Sequence, residues 1–456
     1  MVSVIHLENF TNNLPGGWPI RSAACYPTPG STRRSPPKAT DSEHRSFPPC
    51  VIIWAFIGQV LDPDHSCRKA LARIQAHLAR LGGATLSTDT GGYCKARKRL
   101  PEGLFVRLAR RVGAALLGRS GPDDLWCGRR VKVVDGTGCS MPDTPANQKE
   151  YPQPSSQLKG CGFPALSLVG VFCLATGAAL NVALGRERAH DLTLFRWLRR
   201  VFEPGDVMLA DRGFCSYAEI ALLGKQDVDT VMRLHQARAA NAGRPRVFRV
   251  KDRVRTWKRP ATCPKGLRKS DYRRLPKTLK VREVTYRVET PGFRTDTVTL
   301  ATTLLDAERY SADALAELYF DRWTVELDFA YIKTTMQMAV LRGKTPAMVR
   351  KEIWTHLLAY NIIRSLMWEA SMEHGVDPAR VSFKGTLQRV TAMSGLSASA
   401  TSQQANHMWT VLLYALAADL VPHRPDRIEP RVRKRRPKAY PLMTKPRAEL
   451  KAQLRA

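Results

Sequence analysis

The chain of 456 residues is long enough for two or three domains, and 44% hydrophobic content supplies packed cores, which excludes a disordered polymer. Its 72 Lys and Arg against 40 Asp and Glu leave a formal charge of +32, a surplus that points to a polyanionic partner, either nucleic acid or an anionic membrane surface. Ten cysteines occur without a C-x-x-C pair or a suitably spaced His pair, so a zinc site is unsupported and reduced thiols are expected. No N-terminal segment joins a basic start, an apolar stretch and a small-residue cleavage site, so the chain is expected in the cytoplasm.

Residues 1–43, rich in Pro, Gly, Ser and Arg without periodicity, read as a poorly ordered leader. Residues 44–120 read as a small helical domain. A helix follows Pro48, a second is capped by Ser66 and closed by Gly82 and Gly83, and another begins after Pro101 and ends at Gly118. Between the last two, "DTGGYCKARKRL" fits a short helix capped by Asp89 or Thr90 and carrying Lys95, Arg97, Lys98 and Arg99. A DNA-contacting element and a basic solvated turn fit that stretch equally.

Beyond residue 128 strands and helices alternate. "RRVKVVDGT" reads as a buried strand ending at Asp135. The uncharged Pro164–Gly185 stretch could span a bilayer by length, but it breaks at Thr176 and Gly177 and fits a buried hairpin better, so no membrane partner is expected. "DLTLFRWLRRVF" reads as a helix with Asp191 as its cap, "DVMLADRGF" as a strand ending on Asp211, "YAEIALLGK" as a helix and "VDTVMRL" as a strand. This order is that of a ribonuclease H-like mixed α/β sheet.

Residues 244–287 then hold 17 Lys and Arg against 3 acids, interleaved with Trp257, Tyr272 and Tyr286, a composition suited to phosphates and stacked bases. They form the centre of a β-rich basic insertion over about residues 236–300 of a domain spanning 129–370. "SADALAELYFDRWTVELDFAYIKTTM" reads as one long helix capped by Ser311, on which Tyr319, Arg322, Glu326 and Lys333 share a stripe. A helical C-terminal region (371–423) and a basic tail (424–456), with 12 Lys and Arg against 3 acids, complete the chain.

An acid that terminates an apolar strand is costly unless paired or bound to a cation, although a lone Asp there more often caps a turn. Asp135 and Asp211 at two strand ends, with Glu326 on a helix face, are the carboxylate set a two-metal phosphoryl-transfer site needs. His190 and His235 read as hydrogen-bonded neighbours, and no Ser/His/Asp or Cys/His set is supported by spacing.

With "VVDGTG", "ADRGF" and the spacing Tyr319, Arg322, Glu326, Lys333, the chain resembles bacterial DDE transposases of the insertion-sequence-four (IS4-type) family, over about residues 45–447. The resemblance implies a ribonuclease H-like catalytic core with a β-rich insertion, a DNA-binding role for the helical domain of residues 44–120, and cut-and-paste movement of the encoding element. It further implies that Asp135, Asp211 and Glu326 hold two Mg²⁺ or Mn²⁺ ions, and that Tyr319, Arg322, Lys333 and the adjoining Arg212 contact DNA. Double-stranded DNA and a second copy of the chain, in a homodimeric synaptic complex, are the partners it implies. One relative stacks a flipped base on a Trp in the strand before this helix; "DTVTLATTLL" here has none, which leaves Trp257 as the substitute candidate. The rival reading is a transposase-derived protein that binds DNA without cutting, against which the presence of all three acids counts.

Overall fold

The computed structural model describes residues 47–80, 86–187, 189–235, 251–288, 297–396, 401–422 and 440–455. The expected leader, Gly82 and Gly83, part of the insertion and much of the basic tail lie outside the described residues. The chain forms two compact units.

The first unit takes its described residues from Met1–Gly118, Tyr331–Met338 and Ala347–Pro422 and is helical. Pro49 begins the Pro49–Leu61 helix, where its missing N–H costs nothing, and Val51, Ile52, Ile53, Phe56 and Val60 are buried. Ser66 Oγ accepts the N–H of Lys69 and so caps the Cys67–Arg80 helix. The basic stretch forms the Gly91–Arg99 helix, entered through Thr90 without a side-chain cap. Its Tyr93 hydroxyl donates to Gln59 Oε1 at 2.8 Å, and Phe56 meets Phe105 of the Glu102–Leu117 helix edge to face. The 29-residue Pro346–His374 helix is buried over most of its length. Two more helices, Phe383–Leu396 and Ser402–Ala418, belong to the same unit, the latter opened by a Thr401/Gln404 capping box.

The second unit is built on an eight-stranded sheet. Its strands are β1 (Val131–Ser140), β2 (Ala165–Cys173), β3 (Ala179–Arg186), β4 (Val207–Ala210), β5 (Asp229–Arg233), β6 (Lys251–Lys258), β7 (Thr278–Arg287) and β8 (Thr297–Thr302). Their order is β3-β2-β1-β4-β5-β8-β7-β6. β1, β2 and β3 form an antiparallel meander, while β4 and β5 run parallel to β1 through helical crossovers, which is the ribonuclease H-like arrangement. The uncharged Pro164–Gly185 stretch is the β2–β3 hairpin, turned at Gly177 with φ of 66°. Among the described residues no helix is long and apolar enough to cross a membrane.

Two expectations change. β1 continues past Asp135 to Ser140 because β2 pairs with it along that length; what stops at this level is its other neighbour, β4. "DLTLFRWLRRVF" is no single helix either. The Asp191–Phe195 helix unwinds into tighter bonds from Trp197 to Leu194 and from Leu198 to Phe195, which turn Phe195, Leu198 and Phe202 into the core. The insertion is continuous with the sheet, since β8 pairs antiparallel with β5 and carries β7 and β6 outward.

Candidate active site

Val133 and Val134 of β1 are level with Leu209 and Ala210 of the parallel β4. The next residues, Asp135 and Asp211, therefore leave adjacent backbones about 4.8 Å apart and, by alternation, on one face. Each is locally oriented: Asp135 Oδ1 accepts the N–H of Gly136, and Asp211 Oδ1 that of Gly213, both at 2.8 Å.

Glu326 reaches this face from above. Across β1 from Asp135 stands Gly170, where a Cβ would lie 3.2 Å from Phe329 Cζ, so a glycine lets the Thr324–Ala330 helix settle on the sheet. Phe329 packs edge-on against Phe172 with centroids 5.0 Å apart, holding Glu326 one turn away.

The long helix expected from Ser311 is broken here. Ser311 Oγ does cap it, accepting from Ala314 N, but the Ala312–Asp321 helix ends at Arg322, and bonds of the three-residue type run through Arg322 and Trp323 before helix resumes. Arg322 is 8% exposed and is directed at the acids: Nη2 lies 3.1 Å from Glu326 Oε1 and Nη1 3.8 Å from Asp135 Oδ2. Its guanidinium sits 5.1 Å from the Trp323 ring centroid and 5.7 Å from that of Tyr319. Tyr319 is itself buried, and burial raises its pKa; its ring supports Arg322.

Burial pushes Asp135 up to about 6; the charges of Asp211 and Glu326 add to this, while the Gly136 N–H and Arg322 oppose it. Among the described residues no three His, Cys, Asp or Glu side chains are closed on one ion-sized point, and the cation between Asp135 and Glu326 is Arg322. The donors nevertheless fit a hard divalent cation: they are carboxylate oxygens, and Asp135 carries a charge its surroundings do not balance.

The remaining candidates divide. Arg212 is half-buried beside Asp211 and forms no ion pair among the described residues. Lys333 belongs to the first unit, half-buried on the π-helical turn Tyr331–Thr335, whose wider repeat is not the one that placed it on a common stripe. Lys95, Lys98 and Arg99 are exposed on the first unit's basic helix. Arg97 is turned inward, its Nη1 donating to Gln59 Oε1 at 2.8 Å and its guanidinium over Phe56 and Tyr93, so it braces the helix core. Trp257 is 5% exposed and donates Nε1–H to Glu283 Oε1, so its ring presents no face to a base.

One acid escaped the sequence reasoning in this role. Asp191 was expected to cap a helix, but His190 does so, its Nδ1 accepting from Leu192 N. The Asp191 carboxyl lies against Gly136, 3.0 Å from where a Cβ would stand, on the sheet face opposite Asp135. Burial raises its pKa, His190 opposes this, and the charge of Asp211 adds to it. The signal available was a second acid within five residues of the end of β3.

Residues 126–362 match the family described as the transposase DDE domain. The chain belongs to the DDE transposase family. This transposase is 25% identical over 422 residues to the transposase InsG for insertion sequence element IS4 of Escherichia coli strain K12, with 88% of each chain covered. It is an insertion-sequence transposase of the IS4 type, and its family generally uses divalent metal ions. A shorter stretch of 68 residues is 34% identical to the putative transposase InsL for insertion sequence element IS186A of the same strain, covering 15% of this chain and 18% of that one. Among solved structures, the piggyBac transposase synaptic complex with hairpin DNA matches at a TM-score of 0.43 and 10% identity, covering 82% of this chain and 78% of that one.

Proposed function

We propose that this transposase binds the terminal inverted repeats of its own element and catalyses cut-and-paste strand cleavage and transfer, with Asp135, Asp211 and Glu326 as its catalytic carboxylates. The observation that carries the assignment is the register of β1 and β4, which sets Asp135 beside Asp211 under the helix that presents Glu326. These three residues would hold two Mg²⁺ or Mn²⁺ ions, which supply Lewis-acid charge and a strong oxygen nucleophile for in-line phosphoryl transfer.

The chain's own groups would do the rest. Gly136 N–H and Gly213 N–H orient the two aspartates. Arg322, with five donors in a planar fork, binds a phosphate near the cleaved bond while Tyr319 and Trp323 fix its plane. Arg212 and Lys333 add phosphate contacts, and Lys95, Lys98 and Arg99 hold duplex DNA through counterion release. The active assembly in this reading is a homodimer pairing two element ends, working in the cytoplasm on nucleoid DNA.

Asp135→Ala, Asp211→Ala and Glu326→Ala should each abolish divalent-dependent cleavage of an end duplex while electrophoretic mobility shift shows end binding retained. Cleavage surviving in any one of the three variants removes that residue from the site.

A further inference from the structure

We infer that Arg322 is the internal counter-ion of the carboxylate site, holding Asp135 and Glu326 in the place of a divalent cation until a metal displaces it and frees its guanidinium for a DNA phosphate. The inference rests on reading Asp135, Asp211 and Glu326 as the metal-holding set.

Four observations converge on it. Arg322 spans two of the three acids, at 3.1 Å and 3.8 Å, so its charge occupies the position from which a cation would neutralise them. It is held there while 92% of its surface is covered, between the rings of Tyr319 and Trp323. Its Nε–H is buried with no hydrogen-bond partner, so the contacts in this state leave one of its donors unused. Its backbone lies where the Ala312–Asp321 helix gives way to three-residue turns, leaving Arg322 outside the regular helix that carries Glu326.

The physical consequence follows from charge. Two carboxylates share one guanidinium, with Nη2 on Glu326 and Nη1 towards Asp135. A divalent ion held by Asp135 and Glu326 would take from Arg322 the carboxylates that Nη2 and Nη1 now face, leaving its guanidinium fork to another acceptor. A phosphate oxygen pair satisfies a guanidinium fork in the bidentate manner, so metal loading prepares the DNA contact. By linkage, DNA phosphate that draws Arg322 away strengthens metal binding by the same factor. Arg322 thereby orders the two events, metal and substrate phosphate each favouring the other, with one positive charge kept on Asp135 and Glu326 in between.

The sign of one measurement separates this role from simple support. Mn²⁺ binding to the full-length protein without DNA is measured by titration calorimetry for the wild type, Arg322→Met, Asp135→Asn and Glu326→Gln. Met keeps an apolar stem between the two rings and removes the charge. A competing counter-ion predicts that Arg322→Met binds Mn²⁺ more tightly than the wild type by about tenfold, the scale on which neighbours of a metal site tune its affinity. A supporting role predicts weaker binding. Unchanged or weaker binding in Arg322→Met, with binding lost in Asp135→Asn and Glu326→Gln, overturns the counter-ion role and leaves the metal site standing. Wild-type binding in Asp135→Asn and Glu326→Gln overturns the metal-site reading and this inference with it. If the Met variant does not fold, Arg322→Lys carries the test: a lysine cannot span both carboxylates, and Mn²⁺ must again bind more tightly than to the wild type.

Discussion

Asp135→Asn should make the metal-free protein more stable, and only above acidic pH. The Asp135 carboxyl rises from 3.8 to about 6 in the folded chain, so the native state holds its proton more tightly than the unfolded state does. Below pH 3.8 the group is protonated in both states and costs nothing. As pH rises toward 6 the folded protein must ionise a buried acid among like charges, and above that the penalty is constant. A shift of about two units corresponds to about 3 kcal/mol, little discounted because the side chain is 21% exposed. Asparagine removes the charge and can still accept the Gly136 N–H through its amide oxygen.

Scanning calorimetry in EDTA at several pH values measures this on the transition of the sheet-containing unit. At about 2–4 °C per kcal/mol for a body of 150–250 residues, the variant should melt about 6–12 °C above the wild type at pH 8. The gap should close on acidification to pH 4. Mn²⁺ at about a thousand times its dissociation constant should reverse the order, since at that excess a ligand adds about 4.1 kcal/mol to a protein that binds it. A variant that melts at or below the wild type at pH 8 in EDTA, or a gap that persists unchanged at pH 4, would refute the electrostatic reasoning.

Trp257→Phe should lower stability by about 1–3 kcal/mol in urea unfolding, because Glu283 loses a buried donor, while affinity for an end duplex stays unchanged. In the helical unit the basic residues should separate in the same way. Arg97→Ala should cost stability through Gln59, Phe56 and Tyr93, and the triple change of Lys95, Lys98 and Arg99 to Ala should leave melting intact and reduce the salt slope of DNA binding by about 2–3.

The β2–β3 hairpin was legible in the sequence because an uncharged run with a small-residue break has few other ways to be buried. Less legible was anything set by packing between distant segments. Arg97 and Trp257 look like their exposed neighbours in composition, and only the positions of Gln59 and Glu283 turn them inward. The stripe of Tyr319, Arg322, Glu326 and Lys333 assumed one uniform helix. The backbone breaks at Arg322 and widens at Tyr331–Thr335, changes that no propensity in "YFDRWTVELDFAYIK" announces. The basic insertion likewise mixes roles: Lys251, Arg255 and Lys258 are exposed on β6, whereas Arg282 is buried against Asp252.

The three acids of the proposed site were picked out by type and spacing, yet what brings them to one face is register and two glycines. β1 needs no end at Asp135; it is the ending of β4 at Ala210 that removes a neighbour and opens space beside the carboxylates. Gly170 clears that space from above so that Phe329 can seat the helix of Glu326, and Gly136 clears the other face for Asp191. A methyl group at Gly170 would meet Phe172 Cε2 at 2.7 Å and Phe329 Cζ at 3.2 Å, and so act on Glu326 through the ring pair beneath its helix rather than by changing any charge. The position of Glu326 over the two aspartates is a packing property of the sheet, and its electrostatics follow from that, with Arg322 supplying the one positive charge within reach of both Asp135 and Glu326 among the described residues.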